Sequence, residues 1–496
     1  MKPDLAFSRP SLTAYRLGDA ATDRHRFLDK RVLLRGDDDV LSTPNGRVCM
    51  IASLSLLHRI CRNMAVELPR SPDLEEELHA IIKRTGFGSI QTLSPGTADL
   101  QGHDAILSVG SLVRNDLPWT AVNCNGWLAR VSSGSSLPKD CRQTNAVSAL
   151  AAASLGATEV FKRLIALKPE RGALLDSTTF SLLDYSLGGD EPGPSLPNEI
   201  KIDALLVGAG AIGNGVLFLL SHLPVIGKLQ VVDNQEYGEE NLGTCLLIGP
   251  GDLHVAKAEF AEKLLTPKLA GKGCRENVED TDRRLSAGGQ YPEVAIGCLD
   301  NIPARHALQG LWTDLTIDGA IGDFAAQVSR HPWGEDVACL RCLFPLPAGE
   351  SAEAFASVAT GLSTARTQDG ESEITEADVV AAPPERQPWL RERLGRKVCA
   401  VVAEGVAQRI SAKQLREGFE PSVPFVACMS ASLIVAEWLK YILGIRSTLA
   451  PRFQLDLLRG PAAGLDFPQD RRSDCVCVTR KRNIGLVRES RRARSK

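Results

Sequence analysis

A chain of 496 residues exceeds what one hydrophobic core organises, so two or three domains are expected. Its 44% hydrophobic content and formal charge of −3 describe an ordinary globular protein and exclude a whole-chain nucleic-acid footprint. No apolar run reaches the ~18 residues that span a bilayer, and no apolar signal core opens the chain, so neither a membrane partner nor export is expected. Thirteen cysteines, an odd number that includes two close pairs, fit a reducing cytoplasm in which thiols serve a metal or catalysis.

Residues 1–186 carry an α/β rhythm of their own. Arg47–Leu57 reads as a strand entering a helix, Ala105–Gly110 and Trp119–Val131 as strands, and Asn145–Leu167 as a helix with apolar spacing near 3.6. This half has no Gly-x-Gly-x-x-Gly. Where one would start stands Met50-Ile-Ala-Ser-Leu-Ser, whose side chains keep the backbone from a phosphate. Leu187–Pro197, rich in Gly and Pro, marks a linker over 187–199.

The most informative stretch is Lys201–Lys257. An apolar strand, Ala204–Val207, meets Gly208-Ala-Gly210-Ala-Ile-Gly213, and a helical pattern follows. Gly208 serves the tight turn, Gly210 the approach of backbone to phosphate, and Gly213 the packing of helix on strand. Leu229–Val232 is the next strand and ends in Asp233, placed to bind ribose hydroxyls. Taken alone this describes NAD binding. Asn241-Leu242 and Lys257 then follow at set distances.

Further on, VAIGCLDNIPAR is a strand ending in Asp300-Asn301 with Arg305 after it. Cys339-x-x-Cys342 and Cys475-x-Cys477 make two close thiol pairs, the donor set of a closed structural zinc site. Residues 346–420 are polar and irregular, with Lys397–Gln408 beginning a helix near Cys399. FVACMSASLIVAEWLKYILG is a long core helix, where apolar neighbours mark Cys428 as packing. Residues 481–496 form a basic tail that reads as a solvated, disordered end.

In this order the blocks resemble the ThiF/MoeB/ubiquitin-activating enzyme superfamily, over roughly residues 200–480. The resemblance implies a Rossmann-like α/β adenylation domain at 200–345, completed by 421–480 with the zinc cysteines. The intervening 346–420 would hold the crossover loop and a catalytic cysteine. Residues 1–186 would be a degenerate, inactive copy, as in eukaryotic ubiquitin-activating enzymes. The implied cofactors are ATP, Mg²⁺ and structural Zn²⁺. Gly208, Gly210, Gly213, Asp233, Asn241, Lys257, Asp300 and Asn301 would bind nucleotide and metal, with Asp300, Lys257 and Cys399 catalytic.

Two departures stand out. The family's second acidic residue is Gln235 here, and its Asn-Leu-x-Arg arginine is Thr244. In relatives an arginine also enters from a partner domain or protomer, and by position Arg24 and Arg26 are candidates. The implied reaction adenylates the C-terminal carboxylate of a ubiquitin-like protein. A thioester on Cys399 and a conjugating-enzyme partner would follow, in a bacterial and perhaps antiviral pathway; a homodimer is one assembly the resemblance allows. The alternatives are a sulfur-carrier adenylyltransferase, an NAD-dependent oxidoreductase, which leaves Lys257 and Asp300 unexplained, and a non-catalytic scaffold.

Overall fold

In a computed structural model, residues 7–17, 26–85, 87–266, 269–288, 290–322, 324–345, 352–369, 372–402, 404–405, 423–449 and 451–494 are described. The first half builds one sheet from β1 (Arg31–Gly36), β2 (Asn63–Glu67), β3 (Ser89–Leu93), β4 (Ala105–Val109), β5 (Trp119–Asn125), β6 (Leu128–Ser132) and β7 (Thr178–Ser181). The second builds another from β8 (Ile200–Val207), β9 (Val225–Val232), β10 (Ala270–Cys274), β11 (Val294–Gly297), β12 (Leu315–Gly322), β13 (Ala325–Pro332), β14 (Arg452–Asp456) and β15 (Gly464–Phe467).

The strand orders are 3-2-1-4-5-6-7 and 10-9-8-11-12-13-14-15. Each sheet is parallel through its first five strands and antiparallel beyond them. Such identical order and switch of direction in both halves is the signature of a duplicated Rossmann-like unit. The chain is therefore α/β with a degenerate copy ahead of the second half.

The first copy starts differently from the sequence expectation. Its opening strand is β1, not the stretch beginning at Arg47, and Pro44–Leu57 is helical throughout. That helix is buried on nearly every side, so its apolar residues lack the periodicity that separates helix from strand. Met50 accordingly sits in mid-helix. The counterpart of the glycine turn is Gly36–Gly46, where a short helix, α2 (Asp38–Leu41), occupies the turn before α3 (Pro44–Leu57). A Cβ on Gly46 would collide with the Val40 carbonyl. Gly46 thus lets α3 pack closely on the turn before it, as a glycine must at that approach.

The two halves share one core. Helix α4 (Ala146–Leu164) packs on α3, and α8 (Pro424–Ile442) packs on α4 and on the helix after the glycine turn. Asn145 caps α4, its side chain accepting from the Val147 N–H at 3.0 Å, a contact worth about 1 kcal/mol. Contrary to the expectation that no apolar run is long enough, helix α8 has the length and composition to cross a membrane, yet it lies buried in this core. Its Glu437 and Lys440 are ion-paired at zero exposure. Tyr185 donates to Glu437 at 2.6 Å, and Lys440 donates to the Leu183 carbonyl at 3.1 Å. These bonds fasten the end of the first half to the second. The Gly/Pro segment is likewise held, since the Trp127 indole donates to Pro194 and its amide to Pro192.

The basic tail corrects its expectation too. Lys481–Arg494 is a helix, α9, docked on the turn before β12. Arg488 donates to the carbonyls of Trp312 and Thr313 and pairs with Asp314, while Arg491 lies 3.8 Å from the Tyr291 ring centre. Charge counting treats arginine as a solvated cation. Here the guanidinium fork satisfies exposed carbonyls and stacks on aromatic faces.

Candidate active site

The cleft forms where β8, β9 and β11 end, outside the carboxyl edge at which open α/β sheets bind ligands. Its volume is about 740 Å³. Gly208, Gly210, Asp233, Asn241, Lys257, Asp300 and Asn301 all line it. Gly213 lies one turn behind, the third residue of α5 (Ala211–His222).

The three glycines do separate work. Gly208 has φ +92°, and a Cβ there would lie 2.5 Å from the Cys298 carbonyl of the neighbouring strand. At Gly210 a Cβ would meet no protein atom within 4 Å, so this backbone faces the open cleft. A Cβ on Gly213 would collide with the Gly208 carbonyl. Helix α5 has no side-chain cap at Gly210. Its first N–H groups therefore remain available to an anion, helped by the helix dipole.

Asp233 is held rigidly. One carboxylate oxygen accepts from the Ala209 N–H at 2.8 Å and the other from the Gln235 N–H at 2.9 Å. The Asn241 side chain accepts from the Gly238 N–H at 3.0 Å and so closes its own turn. Lys257, the first residue of α6 (Lys257–Leu265), is buried and donates to the Gln235 side chain at 2.8 Å. The departure at Gln235 thus has a consequence: it gives Lys257 a neutral hydrogen-bond partner. Asp300 accepts from the Asn301 side chain at 3.0 Å, and Asn301 caps α7 (Ile302–Gly310).

Four residues here escaped the sequence reading. Arg9, on α1 (Ser8–Leu17) of the first half, lines the cleft together with Thr244 and Glu240. Burial lowers its pKa, and Cys245 and then Glu240 pull the other way. A residue of the other half, Arg9, therefore lines the same cleft as Thr244. Arg24 and the side chain of Arg26 lie outside the described residues. Asp318 on β12 pairs with Arg305 at 2.9 Å, burial raising its carboxyl to about 6 despite that arginine. Arg452 on β14 also lines the cleft, as does Gln327 on β13. No local motif marks Arg9 or Arg452, because both reach the cleft only through long-range packing.

The cysteines separate by environment. Cys245 has its thiol raised to about 11 by burial and Cys428 to about 12. Cys298 is raised by burial first and Asp318 second. Of the thirteen, Cys399 alone is exposed. It sits in the first turn of helical residues 398–402, within a small unit whose core includes Leu362, Val379, Leu390 and Val401. Cys399 does not line the cleft, and its neighbour Arg396 pairs with Glu404 at 2.8 Å.

Cys339, Cys342, Cys475 and Cys477 converge away from the cleft, all buried, with sulfur atoms within 4.8 Å of one another. The sulfur of Cys339 lies 3.8 Å from that of Cys342 and 3.7 Å from that of Cys475, and Cys342 lies 3.6 Å from Cys477. Four thiolates placed tetrahedrally at ~2.3 Å from a zinc ion would stand about 3.8 Å apart. The four-thiol cluster is therefore compatible with zinc.

The ThiF family model matches residues 200–477. An uncharacterized protein of Sinorhizobium fredii, y4jF, is 23% identical over 94% of this chain and 92% of its own length. The adenylyltransferase and sulfurtransferase MOCS3 of Caenorhabditis briggsae is 28% identical over 32% of this chain and 40% of its own length. Among solved structures, E. coli MccB with MccA-N7isoASN aligns with TM-score 0.36 and 16% identity, covering 56% of this chain and 67% of that one. MccB with ATP aligns with TM-score 0.35 and 15% identity, over 56% and 65%.

Proposed function

Because the chain belongs to the ThiF family, we propose that it adenylates a carboxylate with Mg-ATP, releasing pyrophosphate. The observation that carries this is the convergence of the Gly208–Gly213 turn, Lys257, Asp300 and Arg9 around one cleft. The uncapped start of α5 takes phosphate oxygens through backbone N–H groups. Asp233, fixed by two backbone donors, presents its remaining lone pairs to the ribose hydroxyls. Lys257 and Arg9 neutralise the triphosphate from two sides. One oxygen of the substrate carboxylate attacks the α-phosphorus. The bond from that phosphorus to the oxygen bridging it to the β-phosphate breaks, leaving an acyl adenylate and pyrophosphate. Magnesium, which Asp300 would hold, supplies charge neutralisation on the phosphates.

The finer reading is that the carboxylate ends a ubiquitin-like protein. Cys399 Sγ would then attack the adenylate carbonyl, expelling AMP and forming a thioester. The sole exposed thiol being the one in the helical unit after the Cys-x-x-Cys turn favours this. The arginine that α1 brings to the cleft belongs to the same chain. A sulfur-carrier activator would share the cleft and need no Cys399. An oxidoreductase would need neither Lys257 nor Asp300.

ATP–pyrophosphate exchange tests the reading. With a pool of peptides bearing free C-terminal carboxylates, exchange should require Mg²⁺ and fall by orders of magnitude in Asp300→Ala. Exchange untouched by that change would remove Asp300 from the chemistry.

A further inference from the structure

The antiparallel extension of the second sheet carries a feature the nucleotide does not use. Val207, Gly297, Asp318, Ser329 and Arg452 stand level across β8, β11, β12, β13 and β14. Side chains alternate across a strand, so Asp318, Ser329 and Arg452 share one face, with Gln327 and Gln454 one row above them. The opposite face carries Ala326, Val328, Phe453 and Leu455, which are buried in the common core. The polar face opens into the cleft, where Gln327 and Arg452 are part of the lining.

Arg452 is a cation of this polar face that rests on a ring and not on an acid. Its guanidinium lies 4.4 Å from the ring centre of Phe467 on the next strand. Its Nε is buried with no hydrogen-bond partner, and among the described residues no carboxylate lies within 4.0 Å of it. A partly buried cation without an anion is costly, and a ligand carboxylate would offset that cost. By contrast Arg305, Arg330 and Arg488 each face an acid.

We propose that Arg452 binds an acidic side chain in the substrate's tail, four or five residues before the carboxylate that is activated. This rests on the adenylation reading. Its spacing comes from the sheet. Arg452 lies three strands from β11, whose end leads directly into Asp300, and strands repeat at ~4.8 Å, giving about 14 Å. An extended chain advances ~3.3 Å per residue, so four or five residues cover that span. The substrate is thus a polypeptide whose extended C-terminal segment crosses β12 to β14 and carries Asp or Glu at that distance from its end.

The test is selection by the full-length protein, with a non-hydrolysable ATP analogue, from a synthetic peptide library randomised over its last eight positions. Wild type should enrich Asp and Glu four or five residues from a free carboxyl end by about tenfold, the worth of one charge-assisted hydrogen bond. Arg452→Ala should lose that enrichment, and Arg452→Glu should replace it with Lys and Arg. Thermal midpoints of both variants check folding. Absence of bound peptides, absence of acidic enrichment, or the same enrichment in Arg452→Glu overturns the proposal. So does a loss of nucleotide affinity in Arg452→Ala with selection unchanged, which would assign the residue to phosphate. A library amidated at its ends and selected equally well would count against adenylation while still reporting on Arg452.

Discussion

Arg9→Ala removes the guanidinium that α1 carries into the cleft beside Glu240 and Thr244. If Arg9 neutralises the triphosphate in place of an arginine at 244, its loss forfeits one charge-assisted hydrogen bond, about 1.5–3 kcal/mol. At ~1.36 kcal/mol per tenfold, kcat/KM for ATP in pyrophosphate exchange should fall by roughly 10- to 150-fold. Arg9→Lys keeps the charge but loses the planar fork, so it should fall between the two. Restoring an arginine at position 244, in Arg9→Ala/Thr244→Arg, should recover part of the lost rate. The double variant separates a cleft role from a merely structural one, since a helix needed only for packing would not be rescued from position 244. Exchange by Arg9→Ala within about twofold of wild type, under ~0.5 kcal/mol, would refute the reasoning.

Further outcomes follow from the same structure. One zinc per chain should be found by elemental analysis, and Cys342→Ser should lower the thermal midpoint by several degrees, since a closed four-thiolate site contributes to folding directly; a reduced sample free of metal would sink the assignment. His58 is fully buried and held neutral, its pKa lowered first by burial and then by Arg59. The unfolded chain takes up the proton that the folded one refuses, so wild type should lose up to about 1.4 kcal/mol per pH unit below 6.5 relative to His58→Gln. Parallel urea midpoints for the two proteins between pH 7 and 5.5 would contradict this. Cys399→Ala should keep exchange yet abolish any carrier adduct that reducing agent cleaves, whereas an adduct surviving that change would clear Cys399 of the role.

The cleft was largely legible in the sequence because its residues sit at strand ends and turns. There local chain geometry determines position: Gly208 to Gly213, Asp233 and Asp300 each stand within a few residues of a strand that the hydrophobic pattern reveals, while Asn241 and Lys257 are placed by the turn and helix that follow β9. Arg9 and Arg452 were not legible. The first lies some 200 residues before the turn it serves, and the second is one β-strand residue whose role depends on register across three strands. Burial also hid structure. The α3 segment is enclosed on so many sides that its pattern carries no period, and the apparent strand at Arg47 follows from that. In α9, composition suggested a solvated tail, while Arg488 and Arg491 bind carbonyls and aromatic rings that only the folded chain assembles.

The central claim is that this cleft activates a carboxylate at the α-phosphate. Two peptide pools of identical sequence, one with free C-terminal carboxylates and one amidated, test it most directly when incubated with the full-length protein, Mg²⁺, ATP and labelled pyrophosphate. The account predicts label entering ATP with the free-carboxylate pool alone, with AMP as the nucleotide product and no ADP. Equal exchange with both pools, or ADP and phosphate as products, would contradict it.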